Sequence, residues 1–159
     1  MASLYPWFVF AHLIGLVLFA ISHGASAYMA FRIRSDRDLH TVAALLGMSE
    51  LAKGPMYVGL VLILVGGAGA ATVAGMWLTP WVIASIVVLF VVLAVMYSVA
   101  SPYYGELRKA VGDPAAGVPA TISADELGRR LDSRRPEALL AVGTVGLLVL
   151  VWLMVLKPG

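Results

Sequence analysis

Residues 5–31 read YPWFVFAHLIGLVLFAISHGASAYMAF, a run without Asp, Glu, Lys or Arg that ends at Arg32. A stretch of that length and apolarity crosses a bilayer as a helix with some tilt. Three further runs follow, at 55–75, 80–100 and 137–156. The chain of 159 residues is 61% hydrophobic and 13% charged, with a mean hydropathy of +0.94. A soluble domain has about 45–50% apolar and about 25% charged residues. The expected fold is all-α: a polytopic membrane protein, a four-transmembrane-helix bundle with short interfacial helices, forming one membrane domain over 1–159.

The cations are distributed unevenly. Arg32, Arg34, Arg37 and Lys53 lie between the first and second spans; Arg108, Lys109, Arg129, Arg130, Arg134 and Arg135 lie between the third and fourth; the other side has Lys157. The positive-inside rule then makes 32–54 and 101–136 cytoplasmic loops, with both termini on the non-cytoplasmic side of an inner (plasma) membrane. Trp7, Trp77, Trp81 and Trp152 fall near the outward ends of the spans, as an aromatic belt places them. Ala25-Ser26-Ala27 looks like a signal-peptide cleavage site, but no basic residue precedes the apolar run and three arginines follow it. The first span is therefore expected to be retained. Absence of cysteine excludes disulfides, thiolate catalysis and iron–sulfur clusters held by this chain.

In the first loop, Leu39, Val42, Ala43 and Leu46 recur at helical spacing behind Asp38, a good N-cap. They predict a short amphipathic interfacial helix; the alternative is an inward extension of the second span through Gly54-Pro55. Glu50 and Lys53 form an i,i+3 pair. In the second loop GDPAAGVPA, residues 112–120, is expected to be irregular. Ser123-Ala-Asp-Glu126 then resembles a capping box and predicts a short helix before Pro136. Arg129, Arg130, Arg134 and Arg135 suit anionic headgroups or nucleotide phosphate, or serve only topology and solvation. Gly59, Gly66, Gly67, Gly69, Ala70, Gly143 and Gly146 are small residues of the kind that let membrane helices approach, within one chain or across a homo-oligomer seam.

Ionisable side chains inside a membrane are functional candidates by default. Two are placed deep in the apolar runs, His12 and His23, both on the first span. Eleven residues at about 100° each bring them within about 20° of one face, roughly 16 Å apart along the axis. Tyr5, Phe8, Phe19, Ser26 and Ala30 share that stripe. Neutral imidazole suits haem iron and other transition metals, and aromatic and small neighbours suit a porphyrin. The candidate cofactor residues are His12, His23, Phe19 and Ser26, with His12 and His23 as metal ligands and haem b as the candidate cofactor. One metal cannot bridge both histidines, so a second ligand would be Met76, Met96 or Met154, a second copy of the chain, or none. The alternatives are that the imidazoles make interhelical hydrogen bonds or relay protons. His40 is expected to be solvated. There is no G-x-S-x-G, H-E-x-x-H or phosphate-cradling glycine loop, which disfavours a hydrolase or NTPase. Carboxylates lie in the loops and at the start of the fourth span, which disfavours an acidic ion pathway. Nothing in the chain reads as a nucleic-acid surface, and no catalytic residue is assigned.

Three segments carry a resemblance: His12-Leu-Ile-Gly15, Phe31-Arg-Ile-Arg-Ser-Asp-Arg-Asp38, and Gly54-Pro55 leading into VGLVLILVGG. Together they are similar to an uncharacterised bacterial family of small four-helix integral membrane proteins. More distantly the chain resembles the group containing HemJ-type protoporphyrinogen oxidase and the copper-resistance D proteins. The resemblance implies that His12 corresponds to an early-helix histidine able to ligate haem or metal. The functions in view are electron transfer or porphyrin/metal handling at that histidine, a non-catalytic subunit or scaffold of a larger complex or homo-oligomer, and small-molecule transport.

Overall fold

A computed structural model describes residues 4–113 and 116–158. It contains α1 (Tyr5–Ser35), α2 (Leu39–Leu51), α3 (Lys53–Ala74), α4 (Pro80–Val111), α5 (Ala124–Leu131) and α6 (Arg135–Leu156), with no strand among the described residues. Four helical stretches contain a segment long and apolar enough to cross a membrane, the second of these segments lying within Leu39–Ala74. The chain is an all-α membrane protein.

The spans form two antiparallel pairs, α1 with α3 and α4 with α6, which meet through α1 and α6. Glycines make the first pair close. A Cβ on Gly15 would lie 2.7 Å from the Gly59 carbonyl oxygen, and one on Gly66 would lie 2.6 Å from the His12 amide nitrogen. Phe8 covers the space beside Gly69. Lipid solvates apolar side chains as well as protein does, so helices gain by backbone approach and dispersion at small residues. The small residues of the second span are thus used within the chain. In the second pair, Gly146 receives Val92.

The helices outrun the apolar sequence. Residues 32–35 and 101–111, expected in loops, are helical, and α4 passes through Pro102. At 1.5 Å per residue α1 and α4 are each about 45–50 Å long, against a hydrocarbon core of about 30 Å. The excess projects at the arginine-bearing end. There α2 starts on Asp38, whose carboxylate accepts the Thr41 amide N–H at 2.7 Å. The expected short helix therefore exists, and it also continues the second span: Ala52 alone separates it from α3, with right-handed backbone (φ −66°, ψ −17°). The antiparallel register with α1 carries on across that joint, because Ser26 and Ser49 hydroxyls pair at 3.1 Å. Pro55 lies in the first turn of α3, where a missing N–H costs little.

These overhangs build a second core. Ile33, Val42, Leu46, Leu107, Val111, Leu127 and Leu131 are each 2% exposed or less, and Leu39, Tyr104 and Ile122 pack around them. The second loop folds back to supply α5. Gly112 adopts φ +70°, Asp113 bridges Val118, and the Thr121 amide donates to the Ala110 carbonyl at 2.8 Å. The irregular path expected for 112–120 holds over its described part; Pro114 and Ala115 lie outside the described residues. Ser123 caps α5 by accepting the Glu126 amide N–H at 3.3 Å, while the Glu126 carboxylate engages Arg129 and Arg130.

Candidate histidine site

The first turn of α1 contains Pro6 and needs no donor there, so the helix runs unbroken under residues 8, 12, 15, 19, 22 and 26. Their spacing of three or four residues puts them on one face. His12 meets α3: its Nδ1 lies 2.7 Å from the Ile63 carbonyl oxygen, and its ring lies over Gly67, where a Cβ would sit 3.1 Å from Nδ1. A carbonyl oxygen only accepts, so Nδ1 carries the proton. Neutral imidazole then keeps a lone pair on Nε2, which has no hydrogen-bond partner among the described residues.

His23 meets the other pair. Its ring stacks on Phe19 with centroids 5.8 Å apart and planes 6° from parallel. Its Nε2 is buried and has no hydrogen-bond partner among the described residues. The space it faces is bounded by Gly143 of α6: a Cβ there would lie 2.8 Å from Nε2 and 3.7 Å from the Met96 methyl carbon of α4. A polar nitrogen left unpaired in a low-dielectric setting costs about 1–3 kcal/mol. Met96, one of the three methionines considered as a second ligand, is placed beside Gly143 with its methyl toward the same point as His23 Nε2.

The register between α1 and α3 also sets depth. Gly15 lies against Gly59 and Ser26 against Ser49, so Lys53 falls opposite the turn containing Ser22 and His23. His12 is about 10 Å along α1 from Tyr5, and His23 about 27 Å. His12 therefore lies well inside the apolar zone and His23 near its charged boundary, a difference that the uninterrupted apolar run conceals. Phe19 lies against Gly59 and stacks on His23; the Ser26 hydroxyl pairs with Ser49. The two histidines lie on one helix but address different partners. No group of three or more His, Cys, Asp or Glu side chains converges among the described residues.

Room decides which group each imidazole could hold. At His23, α6 comes so near that even a methyl on Gly143 would press on Nε2, so a porphyrin there requires α1 and α6 to part. At His12 the proton side of the ring is fixed on α3 and Nε2 is the free end, the arrangement by which metal-binding histidines are oriented.

Of the arginines expected to face phosphate, Arg129 and Arg130 pair with Glu126, and the Arg135 guanidinium lies 5.6 Å from the Tyr103 ring centre. In the first loop, Arg34 pairs with Glu137 and Arg37 with Asp132 at 3.1 Å. Arg108 and Lys53 both reach Glu50 at 2.8 Å, and the Lys53 hydrogen bond, followed by Arg108, holds its carboxyl below the usual range. Burial, and then the neighbouring Tyr103, push the Tyr104 phenol up to about 12. Sequence reading missed this ion-pair belt, although Glu50-x-x-Lys53 was visible.

No family model matches the chain, nor does any curated protein or solved structure.

Proposed function

We propose that the chain is an inner (plasma) membrane protein that carries a metal centre, haem b or a bare ion, on an α1 histidine and serves electron transfer or porphyrin/metal handling. The observation that supports this reading is the His12 geometry: Nδ1–H donates to the Ile63 carbonyl and Nε2 is left as an unshared donor inside an apolar span. His12 would hold the iron or ion through Nε2, and the Ile63 carbonyl would fix the plane and tautomer of the ring. The bound group would supply one-electron chemistry that no side chain here provides. The resemblance of the early-helix histidine segment to the haem- and metal-linked group points the same way. The arginine-bearing end faces the cytoplasm, and the tryptophan end with both termini faces out.

Absorbance and metal content of protein purified in mild detergent test the reading. A Soret band or a stoichiometric metal that is lost in His12→Ala is the expected result. A colourless, metal-free preparation that still assembles contradicts it. That outcome favours the second reading, a non-catalytic subunit or scaffold, which draws on a separate feature: the two helix pairs meet sparingly in the spans, through α1 and α6, and Leu13, Ile14, Val17, Val61 and Val65 are exposed for lipid, a copy or a partner.

A further inference from the structure

We propose that the cleft between α3 and α4 binds one anionic phospholipid from the leaflet at the arginine-bearing end, with its phosphodiester on Lys53 and Arg108 and its acyl chains between the two helices. This site is separate from the imidazoles and does not depend on the metal reading.

The two helices are consecutive in the chain, yet along the spans they scarcely touch, because α3 packs on α1 and α4 on α6. They are tied instead at one end, where Arg108 of α4 reaches Glu50 of α2 at 2.8 Å. That ion pair fixes which faces flank the cleft. The right-handed backbone at Ala52 continues the helical turn from α2 into α3. Glu50, Lys53, Tyr57 and Leu64 therefore fall within about 60° of one another around the axis, and on α4 Arg108, Tyr104, Tyr97 and Phe90 fall within about 40°. Tyr57, Leu64, Tyr97 and Phe90 are all exposed. Each stripe runs from a cation, past an exposed tyrosine, to bare apolar surface.

That order of groups matches a phospholipid. Lys53 lies at the boundary of the apolar zone, the depth of a headgroup phosphate, and tyrosines favour the interface beside it. Two cations face one carboxylate, so the cluster keeps a surplus positive charge. Glu106, the carboxylate of α4, stands about 160° round the helix from Arg108 and is turned away from the cleft. Donors are in surplus as well. Arg108 meets Glu50 through one nitrogen, and its buried Nε has no hydrogen-bond partner among the described residues. The Lys53 ammonium has three donors for the two Glu50 oxygens. Basic sites between membrane helices recognise anionic headgroups through this combination of charge and donors. The acyl chains would supply the contacts that α3 and α4 do not make with each other.

The test titrates the full-length protein in neutral detergent with dioleoylphosphatidylglycerol, dioleoylphosphatidylcholine or inorganic phosphate. Native mass spectrometry counts the lipid retained per chain, and thermal unfolding reports stabilisation. Wild type is expected to retain one phosphatidylglycerol in preference to phosphatidylcholine, and to gain no stability from inorganic phosphate at the same concentration. Lys53→Gln leaves Arg108 on Glu50 and is expected to weaken retention about fivefold, the share of one cation at a membrane surface. Ala94→Trp, on the exposed α4 stripe between Tyr97 and Phe90, leaves every ion in place and fills the cleft, and is expected to weaken retention as much. Lys109→Gln, at an exposed cation off the stripe, is expected to retain the lipid as wild type does. Equal retention of the two lipids, or equal losses from Lys109→Gln and Lys53→Gln, would reduce the site to a diffuse basic surface and overturn the proposal. Stabilisation by inorganic phosphate equal to that by phosphatidylglycerol overturns it too, as does unchanged retention in an Ala94→Trp chain with the wild-type size-exclusion profile.

Discussion

The spans and the arginine-bearing end of the molecule are both helical, yet they hold together in opposite ways. In the spans the closest contacts are made at glycine backbone: Gly15 against the Gly59 backbone, Gly66 against the His12 backbone, Gly69 under the Phe8 ring and Gly146 under Val92. Large apolar side chains such as Val61, Leu148 and Val155 face outward. At the charged end the order reverses, and Val42, Leu46, Leu127 and Leu131 are almost wholly enclosed. Solvent accounts for the difference. Lipid removes the hydrophobic drive between helices and leaves close approach as the source of adhesion, whereas water rewards each apolar area removed from it. A single chain thus changes its packing rule about where Lys53 and Glu50 mark the boundary.

The sharpest break in that contrast comes from adding volume to the glycine seam. Gly66→Val places side-chain atoms where the His12 backbone already lies, and is expected to part α1 from α3 and abolish the monodisperse species in size-exclusion chromatography. Gly47→Val, on α2 with open space around it, is expected to leave that species intact apart from the ordinary helix-propensity change. Next in size is removal of side chains from the two regions. Leu46→Ala and Leu131→Ala are each expected to cost about 2–5 kcal/mol in denaturant unfolding. Leu148→Ala, on the lipid-facing side of α6, is expected to change stability by less than about 0.5 kcal/mol. Equal losses at Leu131 and Leu148 would mean that the charged end has no water-excluding core.

Smaller effects come from titration at the charged end. The Tyr104 phenol is raised in the folded chain, so its burial stabilises the neutral form. That contribution is complete below the ordinary tyrosine pKa and is lost as pH climbs toward about 12. Thermal unfolding should show the loss above pH 10, and Tyr104→Phe should remove it. Glu50 behaves in the opposite sense. Its carboxyl is held down by Lys53 and Arg108, so its contribution is present above the ordinary glutamate range and disappears as pH falls below it. About half of the Glu50 side chain is exposed, so screening limits Glu50→Gln to under about 1 kcal/mol at neutral pH.

Much of this was legible in the sequence because the determinants are local. Uninterrupted apolarity located the spans, and the caps at Asp38 and Ser123 lie where the letters suggested. The overhangs were not legible. YYGELRKAV after Pro102 reads as a polar loop until Leu107 and Val111 find α2 and α5, partners distant in the chain. The candidate site was half visible. His12, His23 and Phe19 stood out as residue types, whereas what fixes them is a carbonyl of Ile63 and the missing side chains of Gly67 and Gly143. A backbone acceptor has no letter of its own, and a glycine announces space without saying for what.

The central claim, that α1 carries a metal centre on imidazole, is tested most directly by metal analysis and electronic absorption of the purified chain beside its His12→Ala, His23→Ala and doubly substituted forms, all compared at equal protein concentration and with matching size-exclusion profiles. The account requires bound metal or haem in the native chain and none in the double variant; identical spectra and metal content in all four would contradict it.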